Sequence, residues 1–192
     1  MRKLLWLFPL VAVAAWLGYR HYEGQRLEHR LGTIATAIAR RPVGVHCQGE
    51  TGAILDVGPE LGTVQFDAEG HPADHTDLKH QVCGWLAKLP GGSVANAATA
   101  VEVLSHESYH LAGFMDEATT ECYALQTMPY VAEQFHATRQ QIRTWVAYSF
   151  ARYPSLPEEY VSPDCVPGGK LDLHSSESIW PAHIDTTSES DQ

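Results

Sequence analysis

Apolar residues at helical spacing predict that helices form most of the chain. The first predicted helix has a continuous apolar stripe, and Pro42 ends it. The third contains no proline or glycine until Gly113, which supplies a C-terminal stop. The predicted helices cover residues 23–41, 74–89 with a start at Asp74 or Thr76, 94–112, and 116–151 with a break or kink at Pro129. The stripe of the first consists of Leu27, Leu31, Ile34 and Ile38.

The pattern changes between residues 42 and 70, which are rich in glycine. Short runs of β-forming residues occur at 43–46 and 63–66, and a turn signal follows at 67–70. We therefore expect a small β-hairpin or sheet beside the helices. The predicted fold class is mainly α with this minor β element, an α+β domain.

An apolar run at residues 4–17 follows a basic start and predicts a targeting segment that lies outside the fold. Its fourteen residues suit the core of a signal peptide better than a full membrane span, which needs about 20. Residues 12–14 offer a cleavage site, whereas Tyr19 and Tyr22 suit an uncleaved anchor at the membrane interface. Either alternative places the rest of the chain outside the cytoplasm.

These features divide the chain into four parts. Residues 1–22 are a signal anchor or signal peptide, and residues 23–41 are a helical stalk or a packing helix. Residues 42–181 form one domain, for which the length is sufficient. Residues 182–192 are a polar tail that we expect to be disordered.

Four cysteines agree with an exported chain. They are widely spaced without a C-x-x-C pair, which argues against a structural zinc site and a thioredoxin-like redox pair. An even number in an exported protein suggests two disulfides. Of three possible connectivities we favour Cys47–Cys83 with Cys122–Cys165, because the second would tie the C-terminal loop to the helix before it. The alternative is that Cys83 and Cys122 are only small buried residues.

The net charge of −10 leaves no basic face to neutralise phosphate, so we expect no nucleic acid partner. A second group of polar residues surrounds the start of the predicted helix at 74–89. Its spacing matches no metal motif, and a solvated turn and helix start is the better interpretation. The group consists of His71, Asp74, His75, Asp77 and His80.

The predicted helix over residues 94–112 contains H-E-x-x-H, with His106, Glu107 and His110 at the defined positions. In a helix the two histidines lie one turn apart, close enough for both imidazoles to bind one metal ion. Helical phase places them opposite the apolar stripe, so they would face a cleft. The stripe consists of Val94, Ala97, Val101, Leu104, Leu111 and Ala112.

With this motif, residues 94–128 resemble the zincin metallopeptidases, and most closely their small gluzincin-type members. The resemblance implies one Zn²⁺ ion on three protein ligands, with water at the fourth position. It implies that Glu107 is the general base for that water. It also implies a minimal zincin-like fold, in which the edge strand of the sheet lies beside the cleft and pairs with an extended peptide.

Two acids compete to be the third ligand beside His106 and His110. Glu121 stands in an E-x-x-A context, which resembles the gluzincin arrangement, and Asp116 completes a pattern similar to that of metzincins. Glu121 is favoured because it lies in an apolar helix stripe, where a carboxylate is costly unless paired or metal-bound. Asp116 stands where a helix N-cap belongs, with Glu117 complementing the helix dipole.

The expected function is therefore that of a zinc-dependent metallopeptidase at the cell envelope, acting on a peptide or protein substrate. The alternative is a non-catalytic envelope protein stapled by disulfides, with a structural metal or none. An oxyanion donor is also needed, and no spacing selects one. The candidates by residue type are Tyr109, Tyr123, Tyr130, Tyr148 and His136.

Overall fold

A computed structural model describes residues 7–49, 60–173 and 180. This part of the chain is mainly helical with one three-stranded sheet, which confirms the predicted α+β class. In chain order the elements are α1 (Leu7–Ala39), β1 (Gly44–Cys47), β2 (Gly62–Phe66), β3 (Pro72–Leu78), α2 (His80–Leu86), α3 (Val94–Leu111), α4 (Glu117–Gln134) and α5 (Arg139–Arg152), with 3-10 turns at Tyr153–Ser155 and Glu158–Tyr160.

Helix α3 is the central element, because every other helix of the described ranges and strands β2 and β3 pack against it. Ser93 caps its start by accepting a hydrogen bond from the backbone N–H of Asn96 at 3.2 Å. Most of the predicted apolar stripe lies in the core, with Val101, Leu104 and Leu111 completely buried, whereas Val94 at the start of the helix is exposed. The side of α3 that carries the motif histidines is thereby left to face β2 and α4.

Helix α1 is continuous over 33 residues, so the predicted boundary between residues 22 and 23 is not a break in secondary structure. Its second half packs on the domain and buries Leu31, Ile34 and Ala35, in agreement with the predicted stripe. Residues 11–26 are exposed. Among the described residues, no helix combines the length and the apolar character that crossing a membrane requires. The start of the targeting segment, residues 1–6, lies outside the described ranges.

The predicted β runs form β1 and β2, but a third strand lies between them. The sheet order is β1-β3-β2, with β1 parallel and β2 antiparallel to β3. The predicted turn connects β2 to β3, and the Asp67 carboxylate stabilises it by accepting hydrogen bonds from the backbone N–H groups of Glu69 and His71. The hairpin therefore exists, and β3 is its second strand.

The predicted helix start at Asp74 or Thr76 is wrong, because this segment is strand β3 and the helix begins at His80. Thr76 and Leu78 point into the core with no exposed surface, whereas His75 and Asp77, which alternate with them, are partly exposed. This alternation is typical of a strand. Pairing with both β1 and β2 stabilises β3. A helix prediction that uses only the local sequence does not include such long-range contacts.

The two disulfides confirm the predicted pairing. Cys47–Cys83 joins the end of β1 to α2, and Cys122–Cys165 joins α4 to the C-terminal segment. No cysteine is free, so Cys83 and Cys122 are bonded as well as buried. Disulfides persist in oxidising compartments, and the two bonds therefore indicate an oxidising environment for this domain.

The C-terminal helices differ from prediction in where they are divided. Helix α4 continues through Pro129, and the division falls after Gln134 instead. Helix α5 then begins with a capping box, in which Thr138 and Gln141 each hydrogen-bond the other's backbone N–H. The predicted polar tail, residues 182–192, lies outside the described residues.

Candidate metal centre

The ends of α3 and α4 meet through a tight reversal of the chain. Gly113 has a φ of +99°, a conformation that glycine adopts without strain, and its N–H donates to the carbonyl of His110 at 2.9 Å. Asp116 then caps α4 by accepting from the N–H of Thr119 at 2.8 Å. The first turn of α4 is thereby brought back over the last turns of α3.

Three donor atoms converge at this junction. The Nε2 atoms of His106 and His110 lie 2.9 Å apart, and Oε2 of Glu117 lies 3.1 Å from the first and 3.3 Å from the second. Ligands about 2.0–2.1 Å from a tetrahedral zinc ion are about 3.4 Å from one another. The three distances between the donor atoms are slightly shorter than this value. The three residues therefore fit a zinc ion on the open side of the triangle that their donor atoms form.

The opposite ring nitrogens are held by neighbouring oxygens. Nδ1 of His106 lies 2.8 Å from Oε2 of Glu121, and Nδ1 of His110 lies 2.7 Å from the carbonyl oxygen of Phe114. Because both oxygens only accept, each Nδ1 carries a proton, and each Nε2 is the nitrogen that can bind a metal after it releases any proton that it shares with Glu117. Glu121 thus orients a donor and fixes its tautomer.

The position of Glu121 differs from its predicted role. It is buried, with 4% of its surface exposed, as the apolar stripe indicated, but its carboxylate contacts the far nitrogen of His106. The carboxylate of the other candidate, Asp116, instead caps the N-terminus of α4. The acid that joins the two Nε2 atoms is Glu117. The sequence showed it in the first turn of the helix after the glycine stop, where a helix packed back over α3 presents a side chain to the motif histidines.

Opposite charges stabilise this cluster. Burial lowers the pKa of His106, but hydrogen bonds with Glu117 and Glu121 outweigh burial and raise that pKa to about 10. Hydrogen bonds from His106 and His110 hold the pKa of Glu117 down at about 2. The cluster therefore balances buried imidazole and carboxylate charges within a few ångströms.

Glu107 lies beside the donors but does not join them. The residue is 5% exposed, and its carboxyl group accepts a hydrogen bond from Oγ1 of Thr76 at 3.3 Å. Burial raises the pKa of Glu107, which favours its protonated form. Gly62 on β2 makes room for it, since a methyl group there would lie 2.6 Å from Cγ and Oε1 of Glu107. The arrangement provides a buried carboxyl group that can accept and release a proton.

A cleft of about 460 Å³ opens over these groups. The side chains of His106 and His110 are 11% and 8% exposed, so they reach this space without standing in solvent. The cleft is lined by residues 60–64 and Phe66, by Thr99, Glu102, Val103, His106, Glu107 and His110, by Met115, Glu117 and Glu121, and by Arg152, Leu156, Pro157 and Tyr160.

The tyrosine that borders the cleft in the described structure is Tyr160, whose ring centroid lies 5.8 Å from that of His106. Burial and the charge of Glu117 raise the pKa of Tyr160 to about 12, so its hydroxyl stays a hydrogen-bond donor. None of the five residues predicted as oxyanion donors lines this cleft, and three of them border a separate cavity at α1 and α4. Tyr160 was missed because it lies in an irregular segment whose return to α3 leaves no periodic signal.

A further acid, Glu102, lies deep in the same cleft. Its side chain is 12% exposed, and an Arg152 nitrogen lies 4.0 Å from its Oε2. Burial, together with the nearby charge of Glu121, raises the pKa of Glu102 to about 7. Oε1 of Glu121 is also buried without a hydrogen-bond partner among the described residues. A proton on Glu102 would relieve the repulsion between these two carboxyl groups.

No protein-family model, curated protein or solved structure matches this chain.

Proposed function

We propose that the protein is a zinc-dependent metallopeptidase that cleaves peptide bonds in an oxidising, extracytoplasmic compartment. One observation carries the proposal, namely the convergence of the His106, His110 and Glu117 donors at a cleft that also contains Glu107. Two imidazoles and one carboxylate are a common ligand set for catalytic zinc. A zinc ion bound there would polarise a substrate carbonyl and activate a water molecule.

The chain's own groups then carry the proton. Glu107 accepts the proton of the attacking water and passes it to the leaving amine, for which a raised pKa is suited. Thr76 holds the carboxyl group in place by its hydrogen bond. Tyr160 donates its hydroxyl proton in a hydrogen bond to the oxygen that becomes negative as the carbonyl is attacked.

The sheet supports a peptide as the substrate. Strand β2 lies at the edge of the sheet, and residues 60–64 line the cleft. The unpaired side of an edge strand can hydrogen-bond an extended chain along its backbone. A peptide added there would lie beside Glu107 and the donor triangle.

The location rests on the disulfides and the N-terminal sequence. Cys47–Cys83 and Cys122–Cys165 require an oxidising environment to persist. Residues 1–22 would direct export, either as a cleaved signal or as an anchor. The exposed part of α1, residues 11–26, would then extend from the membrane or from the mature N-terminus.

A non-catalytic protein with a structural metal, or none, is the second candidate. It is favoured by the direct hydrogen bonds between Glu117 and both histidines, because such a network can satisfy these buried groups by itself. The two candidate functions predict different roles for Glu107. In the peptidase it takes part in hydrolysis, whereas in the non-catalytic protein it contributes only to folding.

The test combines zinc content with hydrolysis of a mixed peptide library. We expect about one zinc ion at this centre in the wild-type chain, lost in His110→Ala and Glu117→Ala and retained in Asp116→Ala, the matched acid one residue away. Glu107→Gln should retain zinc and lose hydrolysis. A wild-type protein that folds but cannot be loaded with zinc here would refute the site. Zinc without hydrolysis would establish the structural alternative.

A further inference from the structure

The outer face of the sheet carries a second group of metal-binding residue types. In the parallel pairing of β1 and β3, His46 lies opposite Asp77 and Gly44 lies opposite His75. Residues 75 and 77 share a face because side chains alternate along a strand. The register therefore places His46, His75 and Asp77 together, on the side of the sheet away from α3.

The three side chains are close enough to share one ion. One ligand atom from each lies within 4.8 Å of the others, and Nδ1 of His46 lies 3.7 Å from Oδ1 of Asp77. The two imidazole centroids are 4.6 Å apart. The side chains are 57%, 38% and 47% exposed in the order His46, His75, Asp77, so small torsional changes can bring the donors to about 3.4 Å without disturbing the core.

A fourth residue, Asp74, orients the imidazole of His75 through a hydrogen bond. Nδ1 of His75 donates to Oδ1 of Asp74 at 2.9 Å, which leaves the Nε2 atom of His75 with a lone pair. This carboxylate–histidine pair repeats the relation between Glu121 and His106 in the cleft. It fixes the tautomer that a metal ligand needs.

The backbone beneath the group is restrained. The disulfide to Cys83 begins at the residue after His46, and β3 is hydrogen-bonded on both sides. Thr76 and Leu78, which alternate with the two ligands on β3, are fully buried. Exposed side chains thus stand on strands that are held in register.

We propose that His46, His75 and Asp77 form a second, solvent-facing Zn²⁺ site, with Asp74 as the acceptor that orients His75. Two imidazoles and one carboxylate suit a borderline divalent ion, and water completes the coordination. The site ties β1 to β3 across the sheet and is independent of the cleft. It binds zinc more weakly than the cleft, because its ligands are more exposed and therefore more hydrated before binding.

Isothermal titration of zinc into the full chain tests this site. In His110→Ala, which removes a cleft ligand, we expect one remaining ion. Adding His75→Ala or Asp77→Asn should weaken that binding at least tenfold. Adding His71→Ala should change it less than twofold. His71 is the matched control, since its Nδ1 also pairs with an aspartate, Asp67, at 3.1 Å, but the described residues provide no third metal-binding side chain beside this pair.

The result does not depend on the proposed enzyme. If the cleft binds no zinc, His110→Ala will leave the titration unchanged and His75→Ala alone will still remove an ion. Equal effects of His75→Ala and His71→Ala would overturn the second site, as would an absence of zinc binding in His110→Ala beside one ion in the wild type. Histidine ring signals in NMR spectra supply a second readout, and those of His46 and His75 should shift together on zinc addition.

Discussion

Two histidines and one carboxylate meet in two places, between α3 and α4 and on the outer face of the sheet. In the first place the histidine side chains are 11% and 8% exposed, and in the second they are 57% and 38% exposed. His106 and His110 lie one turn apart on the same helix, whereas His46 and His75 lie on two strands that are far apart in sequence. The same donor types thus occur once as a buried, charge-balanced network and once as a hydrated surface group.

The two clusters also differ in how tightly their side chains are packed and paired. Between α3 and α4, every histidine nitrogen has a partner, and Gly62 is needed to fit the adjacent Glu107. On the sheet, the three corresponding side chains are only partly buried. We therefore expect substitutions around the buried cluster to have large effects, and equivalent substitutions around the exposed one to have small effects.

The largest contrast is expected in hydrolysis. Glu107→Gln removes the proton acceptor of the cleft and should lower kcat/KM for a cleaved peptide by about 10²–10⁴-fold. His46→Ala removes a ligand of the exposed cluster and should leave kcat/KM within twofold. Steady-state assays on both zinc-loaded variants measure this. A similar loss in both variants would mean that the sheet cluster takes part in the reaction.

The next contrast compares the two carboxylates that orient a histidine. Glu121→Ala should weaken zinc binding in the cleft by about 10–100-fold, because His106 loses a buried partner. Asp74→Ala should weaken binding on the sheet less, because Asp74 is 86% exposed and water can replace it. Competition with a zinc chelator gives both affinities. Equal losses would show that solvent exposure does not govern this contribution.

Glycine substitutions compare how tightly the clusters are packed. Gly62→Ala places a methyl group 2.6 Å from Glu107 and should lower the free energy of unfolding by about 1–3 kcal/mol. Gly44→Ala places one 3.4 Å from Cβ of His75, an ordinary contact, and should cost less. Urea denaturation of the metal-free variants measures both. A greater loss for Gly44→Ala would contradict the packing described for β2.

The last comparison concerns the pH dependence of stability. The pKa of Glu102 is raised to about 7 from 4.5, so its contribution to stability is present below pH 4.5 and is lost as pH rises toward 7. The slope cannot exceed about 1.4 kcal/mol per pH unit for one proton. Urea denaturation with chelator present should show that Glu102→Gln flattens this part of the wild-type profile.

Asp74→Asn provides the control for that profile. A hydrogen bond from His75 lowers the pKa of Asp74 below 3.8, so this exposed group titrates below the window of interest. The profile of Asp74→Asn between pH 4.5 and 7 should therefore match the wild type. An unchanged slope in Glu102→Gln would exclude Glu102 as its source.

The sequence was sufficient for features that depend on local spacing. Helix α3, its histidine face and the turn at residues 67–70 follow from periodicity and turn chemistry. The burial of Glu121 follows from its apolar stripe, although burial alone does not say which atom it contacts. The disulfide pairing agreed with a preference for tying the C-terminal loop to a helix.

The features that were missed depend on contacts between distant segments. Glu117 approaches the Nε2 atoms of the motif histidines only because the chain reverses at Gly113, and Tyr160 reaches His106 from an irregular segment. His46 meets His75 only through the parallel register of β1 and β3. Strand β3 itself was mistaken for a helix, because its polar outer residues hide the alternation that tertiary pairing enforces.

Helix α4 carries both Glu117 and, little more than one turn later, Cys122. The disulfide from Cys122 to Cys165 attaches the segment that follows Tyr160 to this same helix. Glu117 and Tyr160, which both line the cleft, therefore belong to segments that are covalently linked. This link limits how far the segment that carries Tyr160 can move away from α4.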